Sequence, residues 1–285
     1  MQRGGVGDEE SVLMWVGLRV GAVVCVLATV ALRAQSSGTA KQVVDAMLVH
    51  ENDPGEHRNK YMYVSEERSE RTGGHLWKER VAETPMGKVR LLIAEDGQPL
   101  SGSRLAAEKA RLEDIAAHPD AFQRREQAVK NDEQHAEQML TLLHKAFMFE
   151  APREEGGNLR IIYRPDPAYQ PQSLEERVLH AMAGEILVDE RTKELHRIEG
   201  KVPQDVSLGY GLLGTIHAGS GFSTEHEMEP GNEWKPSVVD TAINGKAVFF
   251  KAIGRNEHAV HSGFTLLPND ISLAQVVTML ERSGF

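Results

Sequence analysis

Cysteine is all but absent. Cys25 is the single one in 285 residues, and it lies in an apolar run, Val20 to Leu32. With that run removed no thiol remains. This excludes a disulfide framework, a thiol nucleophile and a thiolate metal site, and it leaves stability to core burial. The run is also too short to cross a bilayer, which takes about 20 residues. Positive charge is in deficit as well: 32 Lys and Arg stand against 42 Asp and Glu, a formal net charge of −10. A domain of that charge repels a polyphosphate backbone, so nucleic acid is not an expected partner. Catalytic motifs are lacking too. There is no HExxH, no nucleotide P-loop and no GxSxG elbow. Gly209-Tyr210-Gly211 has neither the strand-to-helix setting nor the third glycine of a dinucleotide loop.

What the front of the chain does have reads as an export signal. Arg19 precedes the apolar run and Arg33-Ala34-Gln35-Ser36-Ser37 follows it. A basic residue, a short apolar stretch and a small residue at the exit form a secretory signal, with cleavage after Ala34. Asp8, Glu9 and Glu10 make the extreme front acidic, and a start at Met14 would restore a basic one. Retention of residues 12–32 as a membrane anchor is the alternative. Removing residues 1–34 takes away Arg3, Arg19 and Arg33 with Asp8, Glu9 and Glu10, so the charge stays at −10. About 250 residues remain, enough for one large or two small cores.

The remainder, 39–285, reads as a single α+β domain: a curved antiparallel sheet, an incomplete β-barrel, with N-terminal, inserted and C-terminal helices packed on it. Val43, Val44, Met47 and Leu48 lie at helical spacing, and Asn52-Asp53-Pro54-Gly55 stops that helix. Strands follow at Lys60 to Glu67, Thr72 to Thr84 and Met86 to Glu95. The insertion 101–149 is helical, with Ser103 as a cap, Leu105, Leu112 and Ile115 on one face, and an apolar end at Met139, Leu140, Leu142, Leu143, Phe147 and Phe149. Leu159 to Tyr163 is extended, and Pro165, Pro167 and Pro171 stiffen the loop after it.

From Gly184 to Phe250 the pattern has period 2, broken by turns. Ile186 and Val188 share one face, as do His196, Ile198 and Gly200. Gly209, Gly211 and Gly214 mark a bend. Phe222, Thr224, His226 and Met228 form another face, ended by Pro230-Gly231. Asn244-Gly245 predicts a type I′ hairpin between the strand ending near Ile243 and Lys246 to Ile253. Glu257 to Leu267 is extended, and Ile271 to Arg282 is a closing helix capped by Asp270 or Ser272. Sequential strands without long intervening helices imply an antiparallel meander.

No constellation of catalytic residues emerges, and no cofactor is implied. His258 and His261 fall on opposite faces of a strand. His217, His226 and His261 are the set on which a metal site would draw, but surface and core histidines account for them as well. Glu66-Glu67 and Glu154-Glu155 read as solvated charges, and Asp189 and Asp205 as turn residues.

Gly184-Glu185-Ile186-Leu187-Val188-Asp189, Leu195-His196-Arg197-Ile198-Glu199-Gly200, Gly211-Leu212-Leu213-Gly214, Trp234-Lys235-Pro236 and Lys246-Ala247-Val248-Phe249-Phe250 together resemble a group of bacterial envelope proteins of uncharacterised function. In layout that group is similar to the outer-membrane lipoprotein-sorting proteins, the family of the periplasmic lipoprotein carrier. The resemblance to the group covers most of 40–282, while that to the carrier is one of layout, and no functional residue of the carrier maps onto a position here. It implies a half-barrel whose apolar concave face receives acyl chains. The expectation is therefore a non-enzymatic, exported protein of the periplasm or cell envelope. It would bind a lipid or lipoprotein against Leu140, Leu143, Phe147, Trp234, Phe249 and Phe250. The alternative is an envelope domain with a filled interior that binds another protein.

Overall fold

A computed structural model describes residues 39–52, 59–208, 214–247 and 256–282, with the side chains of 128, 130–139, 246 and 247 outside that description. The signal segment 1–34, the bend at Gly209 and Gly211, and Phe249 and Phe250 lie outside the described residues. Among the described residues no helix is long and apolar enough to cross a membrane.

The apolar stripe at Val43, Val44, Met47 and Leu48 forms helix α1, residues 39–51. Strands β1 (Lys60–Ser69), β2 (Trp77–Thr84) and β3 (Gly87–Glu95) follow, with a short β4 (Gln98–Pro99). The insertion forms α2 (Gly102–Ala117), α3 (Pro119–Leu140) and α4 (Leu142–Ala146). Next come β5 (Phe147–Phe149), β6 (Arg153–Glu155), β7 (Asn158–Pro165), α5 (Leu174–His180), β8 (Ala183–Asp189) and β9 (Leu195–Lys201). The chain continues through β10 (Val206–Leu208), β11 (Gly214–Ile216), β12 (Gly221–Glu229), β13 (Glu233–Ala242), β14 (Gly245–Ala247) and β15 (Glu257–Leu267), and ends in α6 (Leu273–Arg282). The α+β class with N-terminal, inserted and C-terminal helices is present. The sheet is large, curved and open.

Twelve strands form the main sheet, in the order β4-β3-β2-β1-β15-β13-β12-β9-β8-β7-β5, with β6 beside β7. Its pairings are antiparallel. One row of directly opposed residues crosses eight strands: Ile161, Ile186, Ile198, Thr224, Val239, Ala259, Glu67 and Trp77. Alternation puts this whole row on one face, here called the inner face. The adjacent row, on the outer face, is Ile162, Glu185, Glu199, Ser223, Asp240, His258 and Arg68. The inner row is aliphatic at the β7–β9 end, mixed in the middle and polar at β1–β2.

Each end of the sheet buries a different face. At the β5–β9 end the inner face packs under α1 and α4, where Val44, Met47, Leu143, Ala146, Phe147, Ile161, Ile186 and Ile198 make one cluster. At the other end Met62, Ala82 and Val89 point outward and pack with Leu112 and Ile115 of α2, Phe122 of α3 and Val276, Val277 and Leu280 of α6. Arg80 Nη1 ties α6 to the sheet by donating to the Leu280 carbonyl at 3.0 Å.

Helix α3 joins the two ends. Phe122 near its start belongs to the cluster on β3, and Leu140 at its end packs against the cluster on β5. Its 22 residues span about 33 Å. In a flat sheet the nine spacings of about 4.8 Å between β3 and β5 would hold those strands about 43 Å apart. The helix is shorter than that width, so the sheet bends beneath it. Side chains also block the β3 edge: Arg111 Nη2 donates to the Arg90 carbonyl at 2.6 Å, and the Lys88 amide donates to Glu126 Oε2 at 3.1 Å. An edge treated in this way is a poor template for strand addition.

Three expectations need correction. Asn244-Gly245 makes no hairpin back onto β13. Instead β14 pairs with β11 in a separate three-stranded sheet, β10-β11-β14. The glycine serves close approach there, because a Cβ on Gly245 would lie 2.2 Å from the Thr215 carbonyl oxygen. The loop after Pro165 contains α5, whose N-cap Ser173 accepts the Glu176 amide at 3.1 Å. Helix α2 is capped by Ser101, not Ser103, which already stands in its first turn.

Gly200 shows how closely the inner face is fitted. A Cβ there would meet Tyr163 Oη at 2.4 Å, and that hydroxyl donates to the Glu199 carbonyl at 2.8 Å. Gly200→Ala therefore displaces a buried tyrosine, at a cost of about 2 kcal/mol. The expected result is a lower urea midpoint with an unchanged m-value; an unchanged midpoint would show that Tyr163 can move freely.

Candidate functional site

The least covered part of the sheet is its middle. Along β12 and β13 only Gly221, Glu233 and Ser237 are buried. The helix-packed clusters draw Phe222 from β12 and nothing from β13. The inner surface here is half-buried and consists of four cross-strand pairs: Phe222 with Thr241, Thr224 with Val239, His226 with Pro236 and Met228 with Trp234. Met228 is 52 % exposed. Val, Thr, Phe and Trp here follow from strand preference, because such side chains fit a pleated, half-buried surface.

Two bulges shape this surface. In β13 Ser237 is the extra residue, and its hydroxyl donates to the Glu225 carbonyl at 3.3 Å. In β9 His196 is extra: Leu187 opposes Arg197 while Val188 opposes Leu195. The bulge lets Leu195 enter the core while the His196 ring stacks on Trp234, with centroids 3.8 Å apart and planes 30° apart. Trp234 thus reaches across β12 to β9. Trp234 Nε1 and His196 Nε2 are shut off from solvent, and neither has a hydrogen-bond partner among the described residues. Burial holds the His196 pKa below the usual histidine value, against the opposite pull of Asp189.

Beyond the Ser237 bulge the hairpin tip reaches β1. Tyr61 Oη donates to the Pro230 carbonyl at 2.8 Å, and the Asn59 amide donates to Glu233 Oε1 at 3.1 Å. Lys235 Nζ pairs with Glu233 at 3.0 Å and lies 4.9 Å from the centre of the Tyr61 ring. Burial, then the Glu233 charge, pushes the Tyr61 pKa up to about 12. Tyr61, Tyr63 and Phe264 form an aromatic cluster beside it. His261 Nδ1 donates to the Pro236 carbonyl at 3.0 Å, and its ring sits 5.1 Å from that of Tyr63.

The proposed wall residues separate. Trp234 lies on the open surface, and half-buried Leu140 lies at the end of α3. Leu143 and Phe147 are inside the filled cluster under α1, with Phe147 edge-on to Tyr163 at 5.2 Å. Phe249 and Phe250 lie outside the described residues. The period-2 face Phe222, Thr224, His226 and Met228 is on the surface read from the sequence. Alternation places His196 on the face of Ile198 and Gly200, but its contact with Trp234 two strands away has no signal in the sequence.

The remaining polar candidates occupy other places. His217 bonds Asp205 beside the small sheet, while Asp205 and Asp189 accept turn amides. Among the described residues no three His, Cys, Asp or Glu side chains group as metal ligands. Glu67 and Glu79 share Arg71, which sits at 2.5 and 2.6 Å from them, while Glu154 and Glu155 are exposed. A cleft of about 730 Å³ lies elsewhere, between the Gly73-Gly74 turn and the Asp240 to Ala242 end of β13. The chemistry available on the central surface is apolar contact, because Trp234 Nε1 and His196 Nε2 beside it are closed to solvent.

His261 gives this region a pH signature. Burial depresses its pKa, helped by Lys88 and Arg90 and opposed by the Pro236 bond and Glu67. In the folded state it stays neutral where the unfolded chain, with a pKa of about 6.5, takes up a proton. The unfolded state then binds more protons, so stability falls as pH drops below about 6.5. Between pH 7 and pH 5 the thermal midpoint is expected to fall less in His261→Gln than in the wild type; parallel curves would remove His261 as the cause.

No protein-family model matches this chain, and neither a curated protein nor a solved structure matches it.

Proposed function

We propose that this chain is an exported, non-enzymatic binding protein of the periplasm or cell envelope. Its sheet acts as an incomplete barrel, and its inner face receives the acyl chain of a lipid or lipoprotein. The observation that carries the reading is the uncovered middle of the inner face, which lies between two helix-packed ends. A half-buried sheet carrying Phe222, Val239, Pro236, Trp234 and Met228 has apolar area still to bury. Helix α3, which runs from one sheet edge to the other, closes over the acyl chain when it binds. Trp234 is the anchor, offering the apolar face of its indole to the acyl chain.

A second reading has its own support. Leu143 and Phe147 fill the cluster under α1, as expected of an envelope domain with a solid interior that binds another protein. The two readings differ in what the central surface touches.

Native mass spectrometry of the full chain purified from a bacterial envelope fraction is expected to show an added mass that extracts as lipid. Each buried methylene contributes about 0.8 kcal/mol, so two more carbons in a fatty acid should tighten binding roughly tenfold. Trp234→Ala should weaken it roughly 30-fold, about 2 kcal/mol. A clean apo mass, with affinity indifferent to chain length, would leave the protein-binding reading.

A further inference from the structure

Another part of the molecule gathers charge instead of apolar surface. Where α2 and α3 meet β3, a cleft of about 300 Å³ is lined by Arg71, Lys88, Arg90, Arg111 and Arg125, with Trp77 among them. Three carboxylates, Glu79, Glu108 and Glu126, share the lining, so cations outnumber them in a chain whose net charge is −10. The carboxylates are already engaged. Glu79 pairs with Arg71 at 2.6 Å, and Glu108 with Arg111 at 2.7 Å. Glu126 accepts the Lys88 amide at 3.1 Å.

Arg90 and Arg125 are different. Arg90 Nη1 makes a single long bond, 3.4 Å, to the Lys88 carbonyl. Among the described residues neither guanidinium has a carboxylate within ion-pair distance. One comes from a strand and the other from the helix packed beside it, and both face the same cleft. The Arg90 charge is felt by its neighbours, since it helps to lower the pKa of both Glu67 and His261. Two guanidiniums directed at one volume match the tetrahedral oxygens of a phosphate group, which they can grip in pairs of parallel bonds. The volume lies at the low end for small-molecule sites. A negative chain repels a long polyanion, but a lined cleft of locally positive charge still attracts one phosphate.

We propose that this cleft binds a small phosphate-bearing molecule, held between Arg90 and Arg125. The site is separate from the acyl-binding surface and does not depend on it.

Calorimetric titration of the full chain with inorganic phosphate and with glycerol phosphate, at ionic strength fixed by sodium chloride, tests this. Saturable one-to-one binding is expected, weakened at least tenfold in Arg90→Gln/Arg125→Gln. That variant should keep the wild-type urea midpoint, because neither side chain holds an ion pair. If the double variant fails to fold, Arg125→Gln alone, a change at an exposed position, should still weaken binding severalfold. Phosphatidylglycerol vesicles form a second arm. Arginine-dependent binding to vesicles without any response to the soluble esters would keep the phosphate site and assign it to a lipid headgroup. Heat that sodium chloride reproduces, or affinity unchanged in the variants, would overturn the proposal.

Discussion

The reach of α3 is the constraint on which the rest depends. A helix of about 33 Å is anchored by Phe122 at one sheet edge and ends beside Phe147 at the other. The strands between those edges cannot lie flat under so short a tie. Alternation decides which residues share a face, and the bulges at His196 and Ser237 accommodate the bend locally, since an extra residue bends a strand and increases its twist.

Where layers form then follows from the inner row itself. Three isoleucines in register at β7, β8 and β9 attract α1 and α4. Glu67 and Trp77, at the far end of the same row, cannot, and there the helices pack on Met62, Ala82 and Val89 of the opposite face. Between the two, Thr224 and Val239 attract neither group. The uncovered surface is therefore a consequence of composition changing along one row, and it needs no separate cause.

Much of this was legible in the sequence and some was not. Strands with a clean period of 2, such as Glu257–Leu267, and the amphipathic α1 and α6 stand out because one face is buried and the other wet. The partner of a strand is another matter. Asn244-Gly245 has the composition of a tight hairpin turn, yet its strand joins β11, since pairing is decided by segments far apart in the chain. Helix α5 hid behind three prolines. Leu143 and Phe147 looked like cavity wall because an apolar residue reads the same whether it lines a space or fills one. Trp234 and the face of His196 were both legible, but that the two rings stack depends on which strands are neighbours, and so on pairings far apart in the chain.

The tie across the sheet has a mechanical side. From Gln123 to Gln138 the sequence of α3 is mostly polar, and a helix of that composition leans on backbone propensity, which is weak in water and sensitive to temperature. The arrangement is that of a bow and its string, in which fraying the string lets the stave relax. The curvature of the sheet is thereby coupled to a local helix–coil equilibrium, with the winding of that one helix as its adjustable length.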